Sequence, residues 1–145
     1  MTFELKVIQL GPKDPLLSAV FNIRRIVFVE EQNVPLDLEY DEYDEICPHF
    51  LCLALIGDSW VPVGTVRLVG NKVGRLAVLK EFRHHQVGSC LMKHIVNVAK
   101  EYALESLTLG AQCHCIAFYE RLGFVVSGDV FLDAGIDHRT MNLEL

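Results

Sequence analysis

The chain has 145 residues, of which 51% are hydrophobic and 22% are charged, and its formal net charge is −6. These values are typical of one globular domain, residues 1–145, that buries a core without disulfides or metals. An acidic chain lacks the basic face that nucleic-acid binding requires, which excludes a nucleic-acid partner. No apolar run approaches the ~20 residues of a membrane span. Without a signal peptide and with five cysteines in no disulfide spacing, the sequence favours a cytoplasmic location.

The N-terminal part of the chain predicts a strand, a helix and an acidic loop. Alternating apolar and polar residues predict a strand over 2–10. Asp14 and Pro15 predict the start of a helix, and apolar residues at helical spacing carry it to about Phe28. The acidic segment 30–45 predicts the end of a helix, a loop and a short second helix. Since the segment is too charged for the core, we expect it to lie over a surface or a cleft.

The rest of the chain predicts strands separated by two helices. The apolar patterns predict strands at 50–56, 61–69, 74–79, 106–109, 124–126 and 139–143, and helices at 88–100 and 112–122. The segment 130–132 either continues or reverses the strand before it. Gly123 is expected to end the second helix. This order predicts a mixed sheet with helices on both faces.

A polar, basic turn separates the strand at 74–79 from the helix at 88–100. It contains Arg83, His84 and His85 in succession. A helix that begins in a tight turn exposes unpaired N–H groups, and the positive end of its dipole attracts anions. The basic side chains add further donors. The segment 74–100 therefore predicts a site for a diphosphate.

Three segments carry a resemblance to a known family. They are LAV at 76–78, RHHQVG at 83–88 and FYERLGF at 118–124. In this order and spacing they resemble the GNAT superfamily of N-acetyltransferases over essentially the whole chain. The residues around 24–35, with Asp41, Asp44 and His49, resemble its ElaA-like subgroup. The C-terminal part is also similar to glyphosate N-acetyltransferase.

The resemblance implies an α/β (mixed α+β) architecture, the GNAT fold. Its central mixed, mostly antiparallel sheet has six to seven strands, with helices on both faces. The implied function is transfer of an acetyl group from acetyl-CoA, by direct attack, to the primary amine of a small molecule or peptide. A homodimer is compatible with the resemblance. The alternative is a non-catalytic domain that binds coenzyme A as a sensor, or an interaction domain.

The resemblance also assigns a cofactor-binding set. That set is Leu76, Ala77, Val78, Arg83, His84, His85, Gln86, Val87, Gly88, Ser89, Gln112 and Phe118. Gln86 occupies a position that the family usually gives to glycine. Glycine there permits unusual backbone torsions, so the departure bears on how closely the backbone can approach a ligand.

Tyr119, His138 and Glu31 are the predicted catalytic residues. The resemblance makes Tyr119 the acid that protonates the leaving thiolate; otherwise it is a core residue of an amphipathic helix. His138 is either a general base, a contact to a substrate anion, or a structural strand residue. Glu31, like Asp41, Asp44 and His49, either binds a cationic amine and relays its proton or belongs to a solvated acidic face.

Three arginines in apolar segments need partners, because a buried unpaired charge is costly. Arg24, Arg67 and Arg75 are expected either to meet the acidic loop in a structural network or to bind a substrate carboxylate. We favour the network for Arg24. The segment 113–115, CHC, fits no common zinc spacing, so no metal is expected.

Overall fold

The computed structural model describes residues 2–145 and contains a seven-stranded sheet with the strand order β1-β2-β3-β4-β5-β7-β6. Four α-helices and several shorter helical segments accompany the strands. In chain order, the helices and strands are β1 (Leu5–Leu10), α1 (Leu17–Arg24), a π-helix (Arg25–Glu31), α2 (Leu36–Glu39), a 3₁₀ turn (Glu42–Glu45), β2 (His49–Ile56), β3 (Ser59–Val69), β4 (Lys72–Val78), a 3₁₀ turn (Lys80–Phe82), α3 (Val87–Glu101), β5 (Ser106–Gln112), a 3₁₀ turn (Cys113–Cys115), α4 (Ile116–Arg121), β6 (Val125–Asp133) and β7 (Ile136–Glu144).

The two faces of the sheet bury two separate apolar cores. On one face, Leu91 and Ile95 of α3 pack against strand residues that include Phe50. On the other face, Val20 and Ile23 of α1 pack in a cluster with Leu51 and Leu53. Since successive residues of a strand point to opposite faces, the neighbouring residues of β2 supply both cores. The predicted mixed sheet with helices on both faces is confirmed.

A cleft forms where the sheet changes from antiparallel to parallel pairing. Five of the strand pairs are antiparallel, and β4 pairs with β5 in parallel. The parallel pair is in register at Lys72 and Thr108 alone. Beyond that point the two strands separate. The edge of β4 that faces β5 is therefore unpaired after Lys72, while the other edge stays paired with β3. This separation creates the space in which the functional site lies.

Several predicted boundaries are wrong by a few residues. The first strand begins at Leu5 rather than at residue 2. The helix predicted to begin at Asp14 begins at Leu17, after a turn in which the Leu16 N–H donates to Asp14 Oδ1 at 2.9 Å. It also continues past Phe28, because a π-helix extends it to Glu31.

Two further expectations need correction. Gln112 is the last residue of β5 and not the first residue of a helix; α4 begins only at Ile116, after a 3₁₀ turn. The acidic segment does cover a cleft, but it is not excluded from the interior. Glu39 and Asp44 are only 4% and 1% exposed.

The segment 130–132 continues β6 without reversal.

In the part of the chain that the structure describes, residues 2–145, no helix combines the length and the apolar character needed to cross a membrane.

Candidate active site

A cavity of about 1020 Å³ opens at the separation of β4 and β5. Its walls come from the end of β3, the whole of β4, the start of α3, the end of β5, the residues around α4, and the β6–β7 hairpin. The end of the π-helix and the acidic loop close the remaining side. The cavity thus has the volume of a ligand-binding site.

The start of α3 presents unpaired backbone donors to this cavity. The first backbone bond of α3 runs from the Cys90 N–H to the Gln86 carbonyl, at 2.9 Å. The N–H groups of Val87, Gly88 and Ser89 therefore have no acceptor within the helix. No side chain caps this helix end, and all three residues line the cavity. Unpaired donors at the positive end of a 15-residue helix fit an anionic group such as a diphosphate.

The turn before α3 uses left-handed backbone torsions at residues that are not glycine. Gln86 has φ +68° and His84 has φ +65°. A left-handed conformation costs an L-residue about 1–2 kcal/mol. Gln86 thus keeps the backbone shape that a glycine adopts easily, at a cost in strain. Strain of this kind concentrates at ligand-binding turns.

Gly88 is needed for packing against α4. A Cβ atom at this position would lie 3.2 Å from the ring of Phe118, closer than most such contacts. The absence of a side chain therefore lets the first turn of α3 approach Phe118. Phe118 and Gly88 both line the cavity, so this contact fixes one wall beside the anion-binding turn.

Arg83 connects the turn to the neighbouring elements. Its Nε donates to the Val78 carbonyl at 3.0 Å, and its Nη2 lies 2.9 Å from both carboxylate oxygens of Glu31. Both side chains of the ion pair are about one-third exposed. Glu31 does not line the cavity, whereas Arg83 does. The predicted catalytic carboxylate is thus the partner of the predicted phosphate-binding arginine.

Gln112 makes a similar hydrogen-bonded connection on the other side of the cavity. Its Nε2 donates to Gln32 Oε1 at 2.9 Å, which ties the end of β5 to the residue after the π-helix. Both glutamines line the cavity. Gln112 stands opposite His138 in the β5–β7 ladder, so the two residues share one region of the wall.

Tyr119 lies in the aromatic part of the wall. Its ring makes edge contacts with Phe118 at 5.0 Å and with Phe124 at 6.0 Å between centroids. Burial raises the pKa of the phenol above its usual value. The hydroxyl has no hydrogen-bond partner among residues 2–145. Tyr119 therefore keeps its proton at neutral pH and has it available for a group inside the cavity.

His138 is held in one tautomer. Its Nδ1 lies 2.7 Å from the Ile136 carbonyl, which can only accept, so Nδ1 carries the proton. The ring also stacks on Phe131 with an interplanar angle of 25°. Nε2 is then the nitrogen with the free lone pair, and within residues 2–145 it has no partner. A fixed imidazole with a free acceptor nitrogen can take a proton from a bound amine.

A buried cluster of three arginines and three carboxylates anchors the acidic loop. Arg24 donates to Glu39 Oε1 at 2.5 Å and to both oxygens of Asp44, at 2.6 and 2.9 Å. Arg67 donates to both oxygens of Asp41, at 2.6 and 2.8 Å, and to Asp44 at 2.9 Å. The network expected for Arg24 is therefore present and includes Arg67.

Arg75 completes this cluster from β4. It donates to the backbone carbonyl of Glu39 at 3.1 Å and to Asp41 Oδ2 at 3.3 Å. Hydrogen bonds from Arg24 hold the pKa of Asp44 well below its usual range, despite the opposing effect of burial. The three arginines balance the charge of Glu39, Asp41 and Asp44. This arrangement fixes the loop over the sheet and leaves Asp41 and Asp44 no free oxygen for an amine.

His49 belongs to the same buried region. Its Nε2 donates to the Asp44 carbonyl at 3.0 Å, and burial lowers its pKa below the usual value. Asp44, Cys47 and His49 form the one group among residues 2–145 whose ligand atoms lie close enough for a metal ion. Since Asp44 is already bound by two arginines, this group is structural.

Thirteen of the predicted site residues line the cavity. They are Leu76, Ala77, Val78, Arg83, His84, Gln86, Val87, Gly88, Ser89, Gln112, Phe118, Tyr119 and His138. Glu31 and His85 do not line it. Gln32 and Phe131 line the cavity and were not predicted as site residues. Gln32 stands next to Glu31 in a segment that resembles the ElaA-like subgroup, which was the available signal for it.

The fold and the site define an enzyme in which a turn for an anionic ligand lies beside a cavity with a proton donor and a proton acceptor. The family comparison agrees. Residues 42–145 match the model of the acetyltransferase (GNAT) domain, and the chain belongs to the GNAT family. Enzymes of this family use acyl-CoA and act on amines. The protein is accordingly an N-acetyltransferase.

Relatives and solved structures agree with this membership. The chain is 36% identical over 128 residues to a Bacillus subtilis protein described as the uncharacterized N-acetyltransferase YjcF, covering 86% of this chain and 90% of that protein. It is 30% identical over 134 residues to the ElaA protein of Escherichia coli, covering 89% and 88%.

The crystal structure of E. coli ElaA superimposes with a TM-score of 0.81 at 26% identity, covering 96% of this chain and 99% of that one. An acyl-CoA N-acyltransferase from Pseudomonas aeruginosa gives 0.82 at 26% identity, covering 97% and 99%. The resemblance to the GNAT superfamily and its ElaA-like subgroup is confirmed.

Proposed function

We propose that the protein transfers an acetyl group from acetyl-CoA, by direct attack, to the primary amine of a small molecule or a peptide. The observation that carries this proposal is the convergence of three features on one cavity. These are the unpaired donors of Val87–Ser89, the protonated hydroxyl of Tyr119 and the free Nε2 of His138.

The donors at the start of α3 hold the diphosphate of the cofactor, with Arg83 and His84 beside them. The open edge of β4 at 76–78 and the ring of Phe118 contact its pantetheine arm. Acetyl-CoA supplies the acetyl group as a thioester. Since the turn has no cap of its own, binding here satisfies donors that otherwise face the cavity.

The remaining chemistry belongs to two side chains. His138 accepts a proton from the amine at Nε2 as the new C–N bond forms. Tyr119 donates its phenolic proton to the sulfur as the C–S bond breaks, which produces a free thiol. Burial, which raises the pKa of Tyr119, keeps the phenol protonated at neutral pH, so a proton donor is present beside the sulfur when the thiolate develops. Glu31 acts on the site indirectly, by holding Arg83.

The test is thiol release from acetyl-CoA in the presence of a panel of primary amines. We expect release that depends on the amine, which a domain that only binds coenzyme A would not give. Tyr119→Phe should lower kcat by about 10²-fold with little change in acetyl-CoA affinity. Unchanged kcat in this variant would remove Tyr119 from the mechanism.

His138→Asn provides the matched test of the base. We expect a lower kcat at neutral pH and partial recovery at higher pH, where a larger fraction of the free amine has already lost its proton. If kcat of His138→Asn equals that of the wild type across the pH range, then His138 is not the base.

A further inference from the structure

Arg67 has one donor that the buried cluster does not use. The residue is 7% exposed, and its two Nη groups are bound by Asp41 and Asp44. Its Nε is buried and has no hydrogen-bond partner among residues 2–145. A buried donor without an acceptor is costly, so such atoms are few in folded proteins and a bound ligand is one of their explanations. Arg67 lines the cavity, so a bound molecule can supply the missing acceptor.

Gly74 lies beside this donor. It stands opposite Arg67 in the β3–β4 ladder and also lines the cavity. A Cβ atom on Gly74 would meet a single heavy atom within 4 Å, the Nε of Arg67, at 3.9 Å. An acceptor oxygen must come within about 3.2 Å of Nε, in the space that this Cβ would take. Nε itself is buried, so an oxygen reaches it from the side of Gly74 only with a small shift of the arginine, and no side chain of Gly74 stands in the way.

Lys72 adds a free positive charge on the same strand. It lies two residues before Gly74, and alternate residues of a strand project from the same face. Lys72 lines the cavity and has no ion-pair or hydrogen-bond partner among residues 2–145. Both oxygens of Asp41, which also lines the cavity, already accept from arginines. This part of the wall therefore carries unused positive charge.

The part of the wall formed by the β6–β7 hairpin carries a negative charge. Asp133 of β6 lines the cavity without a partner among residues 2–145, and it lies close in the β6–β7 hairpin to His138, the proposed base. A ligand that places a negative group at Lys72 and its amine near His138 would match both walls. Two donors, one from Arg67 and one from Lys72, suit the two oxygens of a carboxylate better than the three oxygens of a phosphate.

We propose that the acetyl acceptor is an aminocarboxylate, whose carboxylate binds between Arg67 Nε and Lys72 above Gly74. This inference rests on the proposed acetyl transfer and names the class of its acceptor. The amine of the same molecule then lies on the side of His138 and Tyr119, toward the acetyl group.

The experiment compares kcat/KM for a panel of α-amino acids, each paired with its own carboxamide. The α-amino group of the carboxamide is less basic than that of the acid and is more often neutral at pH 7. Without a carboxylate site, the carboxamide should therefore be the better acetyl acceptor. We expect the acid to be better by about tenfold or more for the preferred pair, because it makes charge-assisted hydrogen bonds that the carboxamide lacks. A parallel comparison of β-alanine with 2-aminoethylphosphonate should favour the carboxylate.

Two variants test whether the cavity wall at Lys72 and Gly74 causes the preference for the acid over the carboxamide. Gly74→Ala places a methyl group over Arg67 Nε without disturbing the cluster, and Lys72→Met removes an exposed charge. Both should reduce the ratio of acid to carboxamide to about one, through a higher KM for the acid. Lys93→Met, an exposed lysine on α3 that does not line this cavity, is the control and should keep the wild-type ratio.

The outcomes separate the two proposals. Equal use of acid and carboxamide, a preference for the phosphonate, or a ratio that survives both variants would overturn the aminocarboxylate assignment. It would also be overturned if acetyl-CoA binds and no amino acid is acetylated. A protein that does not bind acetyl-CoA at all, measured by calorimetry, would instead contradict the proposed function.

Discussion

The arginine–carboxylate cluster and the turn before α3 differ in whether their polar groups have hydrogen-bond partners. In the cluster, Arg24 and Asp44 are buried and every carboxylate oxygen of Asp41 and Asp44 accepts from an arginine. At the turn, the donors of Val87–Ser89 have no acceptor, and Gln86 holds a strained torsion. Polar groups that satisfy one another hold the fold together, whereas groups left unsatisfied beside a cavity indicate where a ligand binds.

The comparison predicts that damage to the cluster should unfold the protein. Arg24→Met leaves Glu39 and Asp44 buried without their main partner, which should lower the free energy of unfolding by about 3–5 kcal/mol. Urea denaturation measures this change. Arg25→Met is the matched control, because Arg25 is half-exposed and pairs with Glu30 at the surface, so little change is expected. Equal losses in both variants would contradict the contrast between buried and exposed arginines.

Damage to the turn should instead affect acetyl-CoA binding. Gln86→Val puts a β-branched residue at φ +68°, where it is strongly disfavoured, so the turn should relax and the Kd for acetyl-CoA should rise about tenfold. Calorimetric titration measures the Kd. Gln86→Gly is the control and should bind at least as tightly as the wild type, because glycine adopts this torsion without strain. A normal Kd in Gln86→Val would show that the shape of the turn does not matter.

The cluster should also set how stability depends on pH. Burial lowers the pKa of His49 in the folded protein, so the unfolded chain takes up a proton first as the pH falls below about 6.5. Stability is therefore full above that value and declines toward the folded pKa. Asp41 and Asp44, whose folded pKa values are also lowered, should add a second decline below about pH 4. Urea midpoints between pH 7.5 and 2.5 should show both declines.

His49→Gln separates the two declines. Glutamine can still donate to the Asp44 carbonyl but does not titrate, so the decline that begins near pH 6.5 should disappear while the acidic one remains. If both declines persist in His49→Gln, the first one comes from another group.

The smallest expected effect concerns the ion pair that links the turn to the π-helix. Glu31→Gln should change the free energy of unfolding by less than about 1 kcal/mol, because the pair is partly exposed. The same variant frees Arg83 and should improve acetyl-CoA affinity about twofold, with kcat retained. Glu30→Gln, whose partner Arg25 lies away from the turn, should leave the affinity unchanged. A large loss of kcat in Glu31→Gln would instead make Glu31 catalytic.

Much of the fold could be predicted from local patterns. The apolar runs located all seven strands, and the helical spacing of Leu91, Met92 and Ile95 located α3. The π-helix at Arg25–Glu31 was missed, because its wider turns give no clear periodicity in so short a segment. Gln112 was assigned to a helix because β5 passes into α4 through a 3₁₀ turn with no strong boundary residue.

Charge pairing over long sequence separations was harder to predict. Glu39 and Asp44 were expected to be too polar for the interior. Their partners Arg24 and Arg67 lie 15 and 23 residues away from them in the sequence. Sequence alone shows a charged loop and apolar strands that contain arginines, and only the fold shows that the two meet. The unpaired Nε of Arg67 and its position opposite Gly74 could not be predicted either, because they depend on side-chain geometry.

A crystal structure of the protein with acetyl-CoA tests the proposed function directly. We expect diphosphate oxygens within about 3 Å of the N–H groups of Val87, Gly88 and Ser89. We also expect the acetyl group in the cavity between Tyr119 and His138. A diphosphate bound away from the start of α3, or an acetyl group that neither side chain can reach, would contradict the proposed function.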